Sequence, residues 1–468
     1  MEILWQYVGF SGILSALDRG RGLLSVRGLR TGASLVAVVL AVGCAPGGSA
    51  AALSGPSPFV LPEQKATPAA ATFVPLDDPE GGPRTRAQVT KLPNGHALVT
   101  GGLTANGATN QVLDFDPLTK QFTTLKPLAD ARYDHEATLL PSGDVLVTGG
   151  TNGPSQLASV ELIHVDPANP LNVTTTQLSP LPEPRSGHRA VAVPLTTKGG
   201  KPWSGATGVL IVGGVVPRPG RDPVTAASSL VYKLDVTADG VSGQAVVTAS
   251  QPHVARTLHQ AILLPGPDRV LGTDDDRVLV FGGLGADPEA ISSEGTIGPL
   301  SAAEVYEPST ERWSTVHFDG AVPAPRYQHR VVRTQEGAAL LVGGQSTDRT
   351  GPRLVEEIDL DPTNASLGSL AQDTSLAKPR TGPEVVTLDD GRILVTGGVD
   401  PATGAALDDA EVLAANGRSV EPPVSIGSPR SEHGLASLGL SGVLVFGGRQ
   451  TRDQFGSPGS GLLLLNKR

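Results

Sequence analysis

Cysteine, methionine, aromatic side chains and charge are all scarce in this chain of 468 residues. It contains 1 Cys and 1 Met, and aromatic residues make up 4%. Because a disulfide needs two cysteines, an internal disulfide framework is excluded. Charged residues amount to 18%, and the formal net charge is -10. Because binding phosphates requires a basic surface, this balance argues against nucleic acid as a partner. Charge would not draw the protein to an anionic membrane surface either.

Glycine and proline are abundant instead. The chain has 58 Gly and 40 Pro, and 39% of its residues are hydrophobic, which is enough for a packed core. Long stretches of helical periodicity are absent. This combination is typical of an all-β protein with many tight turns rather than of a disordered chain.

The single cysteine, Cys44, stands directly after a short apolar stretch that begins at Ser34. A basic region precedes that stretch, as in a secretory signal, and the stretch is too short to span a bilayer comfortably. The segment Leu40–Cys44 resembles a bacterial lipobox, in which the cysteine becomes the lipidated N-terminus. The resemblance implies a signal peptide over residues 1–43 and a lipid-anchored protein of the cell envelope, at the outer membrane or the cell surface. An ordinary signal peptide with a chance cysteine is the alternative.

Residues 44–70 are rich in Ala, Gly, Ser and Pro, and we predict a flexible tether there. A lipidated Cys44 would leave no thiol for a disulfide, a thiolate metal site or a nucleophile. The acidic run Asp274–Asp276 could bind Ca²⁺, but it lacks an EF-hand pattern, and a solvated turn is the favoured interpretation. We therefore expect no metal, no cofactor, membrane contact through the lipid alone, and a monomer.

A pair of glycines follows an apolar run of β type seven times between residues 71 and 468. Runs such as Val145–Thr148 are apolar on both faces, as expected of strands sandwiched between neighbouring sheets. Successive pairs begin 48, 64, 69, 61, 54 and 50 residues apart, which indicates a repeat built from one small sheet. The pairs are Gly101-Gly102, Gly149-Gly150, Gly213-Gly214, Gly282-Gly283, Gly343-Gly344, Gly397-Gly398 and Gly447-Gly448.

An arginine marks the start of each repeat. It stands 17 residues before the first glycine in five repeats, and 28 and 26 residues before it in the third and fourth. Three residues later comes a histidine, replaced by Ala87 in the first repeat and Pro383 in the sixth. Chance would not keep this register, so we predict seven repeats. The arginines are Arg84, Arg132, Arg185, Arg256, Arg326, Arg380 and Arg430; the histidines are His135, His188, His259, His329 and His433.

Each repeat is expected to form four strands. In the second repeat we place them at His135–Leu140, Asp144–Thr148, Ser159–Val165 and Val173–Leu178. A turn pair, here Ser142-Gly143, separates strands one and two, where a tight hairpin needs φ > 0.

These motifs resemble those of a known family. A glycine pair after an apolar strand, then Glu307-Pro308 and Trp313, look like the kelch motif, and Arg-x-x-His before strand one is similar to kelch repeats too. The resemblance covers residues 71–468 and implies an all-β, seven-bladed β-propeller of four-stranded blades, like the central domain of galactose oxidase. The family usually has a Tyr and a Trp in each repeat, whereas here only Trp313 lies at the Trp position. Small aliphatic side chains must therefore pack between the blades.

The two ends of the repeat region suggest how a ring would close. The last repeat ends after its third strand, Leu462–Leu465, and Ala71–Leu76 resembles a fourth strand placed before the first arginine. An open array would leave a sheet edge exposed. We therefore predict that the N-terminal strand completes the seventh blade.

The loops that carry the arginines and those after the glycine pairs must emerge on one face of such a fold. The latter are long in repeats three and four, at Val215–Ala227 and Leu284–Ser301, and the opposite hairpins are also extended, at Pro194–Gly208 and Pro265–Arg277. Loops on a rigid scaffold usually hold the function. In kelch relatives the arginine face is commonly the ligand face.

The seven arginines are the candidate ligand-binding residues. Each precedes an innermost strand, so together they could surround one mouth of a central channel and select carboxylate or phosphate groups. The favoured alternative is that each one bonds carbonyls or acids of the neighbouring blade. For the five histidines a structural role is favoured, because a ring spaces them too far apart to share a metal.

An interaction module that holds a protein or glycan on the arginine face is the leading functional hypothesis. No catalytic residue is predicted. Kelch-type copper radical oxidases need a cysteine cross-linked to a tyrosine, whereas the only cysteine here is the predicted lipid anchor. Sialidase-type Asp boxes are absent. The glycine- and serine-rich segment 456–461 lacks the strand–elbow–helix context of a hydrolase. A kelch-type sugar-acid isomerase or hydrolase that uses an arginine-lined channel mouth is the first alternative. A structural spacer of the envelope is the second.

Overall fold

The computed structural model describes residues 15–16, 24–25, 71–167, 169–195, 207–218, 221–237, 240–286, 297–346, 354–414, 423–451 and 458–465. The chain divides into two compact units, Met1–Lys65 and Ala66–Arg468. In the first unit, strands β1 (Ser15–Ala16) and β2 (Leu24–Ser25) pair antiparallel. The predicted anchor at Cys44 and the predicted tether over residues 44–70 lie outside the described residues.

The described part of the second unit is all-β, and each of the seven repeats contributes one sheet built on four antiparallel strands, numbered after its repeat. Sheet 1 consists of β4 (Gln88–Lys91), β5 (Ala97–Thr100), β8 (Val112–Asp116) and β9 (Gln121–Thr124). Sheet 2 consists of β10 (Glu136–Leu139), β11 (Val145–Thr148), β12 (Val160–Val165) and β13 (Val173–Leu178). Sheet 3 consists of β14 (Arg189–Pro194), β15 (Thr207–Val212), β18 (Ser229–Thr237) and β19 (Gly240–Val247). Sheet 4 consists of β21 (Gln260–Leu264), β22 (Arg277–Phe281), β25 (Ala303–Glu307) and β26 (Arg312–Thr315).

The remaining three sheets follow the same order. Sheet 5 consists of β28 (Arg330–Arg333), β29 (Ala339–Val342), β30 (Leu354–Leu360) and β31 (Leu367–Ser375). Sheet 6 consists of β32 (Glu384–Thr387), β33 (Ile393–Thr396), β34 (Leu407–Leu413) and β35 (Val424–Arg430). Sheet 7 consists of β36 (Gly434–Ser437), β37 (Val443–Phe446), β38 (Gly461–Leu464) and the N-terminal strand β3 (Thr72–Pro75), with a 3₁₀ turn at Gly439–Ser441.

Short strands are added to the four-strand pattern in several repeats. In sheet 5, β27 (His317–Phe318) pairs parallel with β31, so this sheet has five strands instead of the four predicted. The other additions lie in loops near the glycine pairs: β6 (Leu103–Thr104) with β7 (Gly107–Ala108), β16 (Val215–Arg218) with β17 (Arg221–Thr225), and β20 (Arg256–Thr257) with β23 (Leu284–Gly285) and β24 (Gly298–Pro299).

The apolar cores lie between the sheets. Every residue of β11 is buried, and the second strands of the other repeats show the same two-sided burial wherever it is described. Leu98 of sheet 1 shares a cluster with Val145 of sheet 2, and Phe446 of sheet 7 shares one with Phe115 of sheet 1. Each successive pair of sheets has such a cluster, and so do the last and the first.

The first strands of the seven sheets contact one another in cyclic order. Strands β4, β10, β14, β21, β28, β32 and β36 are neighbours in that sequence, and β36 also contacts β4. They therefore surround a central space. None of the described sheets closes on itself, so the cyclic order comes from contacts between sheets.

Strand β3 joins the beginning of the second unit to its last sheet. Thr72 pairs with Leu464 and Pro75 with Gly461 in an antiparallel ladder. Val74 packs on the core between sheets 7 and 1, and Phe73 packs on the core between sheets 6 and 7. The strand thus contributes both hydrogen bonds and apolar contacts where the end of the repeat region meets its start.

Candidate functional site

The seven repeat arginines lie at the junctions between repeats, and each is at most 2% exposed. Nη1 of each donates to the carbonyl of the first glycine in its own repeat, at 2.9–3.2 Å. The backbone carbonyl of each accepts from the second-glycine N–H of the preceding repeat, at 2.8–3.0 Å. Gly448 N–H donates to Arg84 in this way, so the bonds also join the last repeat to the first. Each arginine therefore holds two repeats together.

This junction explains why glycine occurs in pairs. The first glycines have φ of 52–66° and the second ones 91–114°, a region that L side chains rarely adopt. A Cβ on Gly101 would also collide with the backbone carbonyl of Arg132. The repeated glycine pair and the repeated arginine therefore form one contact, in which they hydrogen-bond to each other within a repeat and between neighbouring repeats.

Four of the arginines also have a buried glutamate partner on the third strand of their sheet. Arg132 Nη2 lies 2.5 Å from Glu161 Oε1, and both side chains are fully buried. Equivalent pairs are Arg256–Glu304, Arg326–Glu356 and Arg380–Glu411. The corresponding positions in sheets 1, 3 and 7 hold Leu113, Leu230 and Gly461.

Without that buried glutamate, the arginines of sheets 1, 3 and 7 donate hydrogen bonds to neutral groups, and Arg185 also lies 3.8 Å from the exposed carboxylate of Glu183. Arg84 Nη2 donates to Gln111 at 2.7 Å, Arg185 Nη2 donates to Ser228 at 3.2 Å, and Arg430 Nη1 donates to Gly459 O at 3.1 Å. Burial lowers the pKa of both Arg84 and Arg430 to about 10, because it disfavours the charged form. Both remain charged at neutral pH.

The arginine partners bear on the anion hypothesis. An anion could reach the seven guanidinium groups only by displacing the carbonyls and side chains that they already bond. The seven are Arg84, Arg132, Arg185, Arg256, Arg326, Arg380 and Arg430. Buried donors and acceptors left unpaired cost free energy. Ligand binding by these seven residues stays a prediction and would require that cost to be met.

The five repeat histidines are buried behind the glycine pairs of the preceding repeats. His135 Nε2 shares a hydrogen bond with Thr100 Oγ1 at 2.9 Å, and equivalent bonds link His188 to Thr148 and His433 to Thr396. His259 and His329 face Val212 and Phe281 at the same place, and neither ring nitrogen of either histidine has a hydrogen-bond partner among the described residues. Burial lowers the pKa of His135 to about 3, and it holds the pKa of the other four well below the usual value.

The threonine–histidine bond can be tested by moving it. Thr100→Val removes the partner of His135 Nε2 and is expected to lower the free energy of unfolding by about 1–2 kcal/mol. Val212→Thr supplies a partner for His259 Nε2 and is expected to be neutral or stabilising. Val395→Thr, a buried hydroxyl in β33 without a facing histidine, is the control and should destabilise by about 1–3 kcal/mol. Urea unfolding measures all three; equal losses for Val212→Thr and Val395→Thr would contradict the bond.

The residue two positions after each arginine forms what we call the mouth layer. All seven have φ of 52–61°, and neighbours are joined by backbone bonds such as Gly382 N–H to Gln328 O at 2.8 Å and Arg86 N–H to Glu432 O at 3.0 Å. The layer therefore lies around one end of the central space. Its members are Arg86, Asp134, Gly187, Leu258, Gln328, Gly382 and Glu432.

A charged cluster occupies the mouth layer over sheets 7, 1 and 2. Arg86 Nε lies 3.0 Å from Glu432 Oε2, and Arg86 Nη1 lies 3.2 Å from Asp134 Oδ2. Arg449 also pairs with Glu432, and the Arg86 guanidinium lies 5.6 Å from the ring centre of Tyr133. The Arg86 side chain is 33% exposed, so a ligand could touch this cluster. Burial raises the pKa of Asp134, although Arg86 opposes that shift.

The residue four positions after each arginine is the first residue of each first strand, and these seven residues form what we call the inner layer. Arg189 Nη1 lies 2.5 Å from Glu136 Oε1, and Arg330 Nε lies 3.0 Å from Glu384 Oε2. Burial raises the pKa of Glu136 against the opposing effect of Arg189 and, more weakly, Arg330, which belongs to repeat five. Side chains from opposite sides of the central space therefore act on each other. The members are Gln88, Glu136, Arg189, Gln260, Arg330, Glu384 and Gly434.

The mouth and inner layers were missed by the sequence reasoning, which selected the residues that recur. Seven repeats carry arginine at the first position, but the positions two and four residues later hold unlike side chains. Their variability was the available signal. A position that faces a shared central space has no reason to repeat, whereas a position that makes the same contact in every repeat does.

No protein-family model matches the chain, and no curated protein matches it. Among the described residues, no helix is long and apolar enough to cross a membrane. Within the same residues, no three His, Cys, Asp or Glu side chains are grouped so that they could hold a metal ion.

Proposed function

We propose that residues 71–468 form a seven-bladed, kelch-type β-propeller that acts as a lipid-anchored, extracytoplasmic interaction module for a protein or glycan ligand. The cyclic contacts of the seven first strands, the shared cores and the arginine junctions support the propeller. The lipobox-like segment before Cys44 supports the anchor. The kelch assignment depends on the motif resemblance alone.

The observation that carries the binding function is the partly exposed charged cluster of the mouth layer. Arg86 pairs with both Asp134 and Glu432, and the three side chains remain 21–36% exposed beside the half-buried ring of Tyr133. Paired donors and acceptors next to an aromatic face can hold a polar ligand with an apolar face, such as a sugar ring or a peptide. Strands β16 and β23, which follow the glycine pairs of repeats three and four, lie on the same face.

A sugar-acid isomerase is the second candidate, and one pair of residues favours it. Asp134 and Glu136 lie two residues apart at the central space, and burial raises the pKa of both. Carboxyl groups with raised pKa values are suited to general acid catalysis near neutral pH. Turnover of sugar acids, followed by NMR, would distinguish this candidate from a binding module.

The cellular location of the binding activity is expected to depend on the anchor at Cys44, and its affinity on the mouth layer. Cells that produce the full chain or its Cys44→Ser variant are fractionated, and each fraction is tested on glycan arrays and a panel of envelope proteins. Binding should sediment with membranes for the parent chain and become soluble for Cys44→Ser. Arg86→Gln should weaken binding about tenfold, equivalent to about 1.4 kcal/mol, because it removes the positive charge that lies between Asp134 and Glu432.

Lys91→Gln is the matched control for Arg86→Gln. Lys91 lies at the other end of β4 and should leave affinity unchanged. Soluble binding activity from the parent chain would refute the anchor. Equal effects of the two substitutions would refute the mouth site, and an absence of any ligand above millimolar affinity would refute the module.

A further inference from the structure

The inner layer presents hydrogen-bond donors and acceptors side by side. In the Arg189–Glu136 pair and the Arg330–Glu384 pair, a guanidinium lies against a carboxylate, and all four side chains are 14–26% exposed. Positive and negative charges are equal in number among these four residues. The layer is therefore strongly polar but carries little net field.

Part of this hydrogen-bonding capacity is unused. Arg189 donates through Nη1 and Nε, and Arg330 through Nε and Nη2, so Arg189 Nη2 and Arg330 Nη1 have no partner among the described residues. Gln260, in the same layer, is 7% exposed, and its Nε2 has no partner within the described part of the chain. Native proteins seldom leave a buried amide donor without a partner, since an unmade bond is costly.

Two glycines of the mouth layer lie directly ahead of the charged residues of the inner layer. Gly187 lies two residues before Arg189, where β14 begins, and Gly382 lies two residues before Glu384, where β32 begins. Glycine is not required by the backbone there, because Arg86, Leu258 and other mouth-layer residues adopt the same positive φ. A Cβ at Gly382 would meet no atom within 4 Å. The missing side chain of Gly382 leaves open space above the inner layer, whereas a Cβ at Gly187 would lie 3.1 Å from Thr257 Oγ1.

From these observations we propose that the inner layer is a second binding subsite, reached past Gly382, and that it takes the neutral, hydroxyl-rich end of a ligand such as a terminal sugar residue. The proposal rests on the binding function argued above and specifies the chemistry at its deeper end. Neighbouring hydroxyls of a sugar both donate and accept, so they can bond a carboxylate and an adjacent guanidinium at once.

An anionic ligand end fits the inner layer less well. A carboxylate or phosphate would gain from Arg189 and Arg330 but would be placed next to Glu136 and Glu384, which repel it. Desolvating the ligand charge would add a further penalty. The same charge balance predicts that binding depends only weakly on salt, because no net charge is neutralised.

The test fills the open space above Glu384. Gly382→Gln places there the side chain that Gln328 already carries in the same backbone conformation. Binding of glucose, galactose, mannose and N-acetylglucosamine oligomers, and of glucuronate, galacturonate and inorganic phosphate, is measured by titration calorimetry and saturation-transfer NMR. A neutral sugar is expected to bind more tightly than its uronate, and Gly382→Gln is expected to weaken it about tenfold or more.

Gly95→Gln is the matched control, because Gly95 also has positive φ and open space around its Cβ position but lies in the hairpin between β4 and β5. Thermal unfolding of both variants verifies that they fold. If the neutral sugars bind and Arg86→Gln weakens them while Gly382→Gln does not, the inner subsite is wrong and the mouth site stands. Tighter binding of uronates or phosphate would overturn the neutral-ligand chemistry. If neither sugars nor proteins bind the parent chain, the binding function itself fails.

Discussion

Lowering the pH below about 6.5 is expected to unfold this protein steeply, with a midpoint at roughly pH 5, because five histidines are buried without charge. The pKa of His135 is lowered to about 3, and those of His188, His259, His329 and His433 are held well below the ordinary value by burial and by nearby arginines. In the unfolded chain these groups take up protons below their ordinary pKa of about 6.5. The folded chain does not, so its stability falls as the pH falls.

The size of the effect follows from the number of protons. Each histidine that is neutral in the folded state and protonated in the unfolded state contributes about 1.4 kcal/mol per pH unit, and five contribute up to about 7 kcal/mol per unit. Stabilities of folded proteins are about 5–15 kcal/mol, so about one to two pH units suffice. Burial raises the pKa of four carboxyl groups, Asp114, Asp134, Glu136 and Asp276, which take up protons more readily when folded and oppose the loss. The five histidines outnumber them, and the lowered pKa values of Asp116, Asp275, Asp361 and Asp390 act in the opposite direction.

His329→Ala tests the proton count at a position where no side-chain hydrogen bond is lost. The variant is expected to reduce the slope of unfolding free energy against pH from about five protons to about four, whatever it does to stability at pH 7. His317 is exposed, and His317→Ala should leave the slope as it is. The measurement is urea unfolding at half-unit intervals between pH 5 and pH 8. A slope of one proton or fewer in the parent chain would contradict neutral burial of the five histidines.

The strand pattern could be predicted closely because it depends on local chemistry. The four strands expected in the second repeat lie at Glu136–Leu139, Val145–Thr148, Val160–Val165 and Val173–Leu178, each within one residue of its expected ends. Apolar runs that end at a glycine pair have few alternatives to a buried strand. The fifth strand of sheet 5 was not foreseen, because β27 has two residues and its pairing with β31 is not local.

The partners of the arginines could not be predicted for a related reason. The glutamates that pair with Arg132 and Arg256 lie 29 and 48 residues further along the chain, a separation that changes with loop length. Two repeats replace the glutamate with leucine and one with glycine, which hides the pattern further. A spacing search finds contacts whose two members keep a constant separation. It cannot find contacts made across loops of variable length, and it passes over the mouth and inner layers, where no residue type recurs.

Strand β3 gives the prediction with the largest effect on folding. Deleting residues 66–78 is expected to abolish cooperative unfolding at 25 °C. The deletion removes the ladder from Thr72 to Pro75 on β38 and leaves that strand as an exposed edge. It also removes side chains from two cores at once, Val74 between sheets 7 and 1 and Phe73 between sheets 6 and 7.

Smaller changes should reproduce part of this loss. Phe73→Ala is expected to cost about 3 kcal/mol, the low end for a core phenylalanine, because Phe73 is half-buried. Its ring lies 5.5 Å from the Arg430 guanidinium, so the loss also reaches the arginine junction of sheet 7. Deleting residues 53–65, which also removes 13 residues and precedes the second unit, is the length-matched control and should leave thermal unfolding unchanged.

A synthetic peptide of residues 66–78, added to the truncated chain, distinguishes loss of the strand from a general folding failure. Strand addition to an open edge forms backbone hydrogen bonds and fills the same apolar positions, so the peptide should restore a cooperative transition whose midpoint rises with peptide concentration. A peptide carrying Phe73→Ala should be less effective. Unchanged cooperative unfolding of the truncated chain would show that the contacts of β36 with β4, and the bond from Gly448 to Arg84, hold the last repeat to the first without β3.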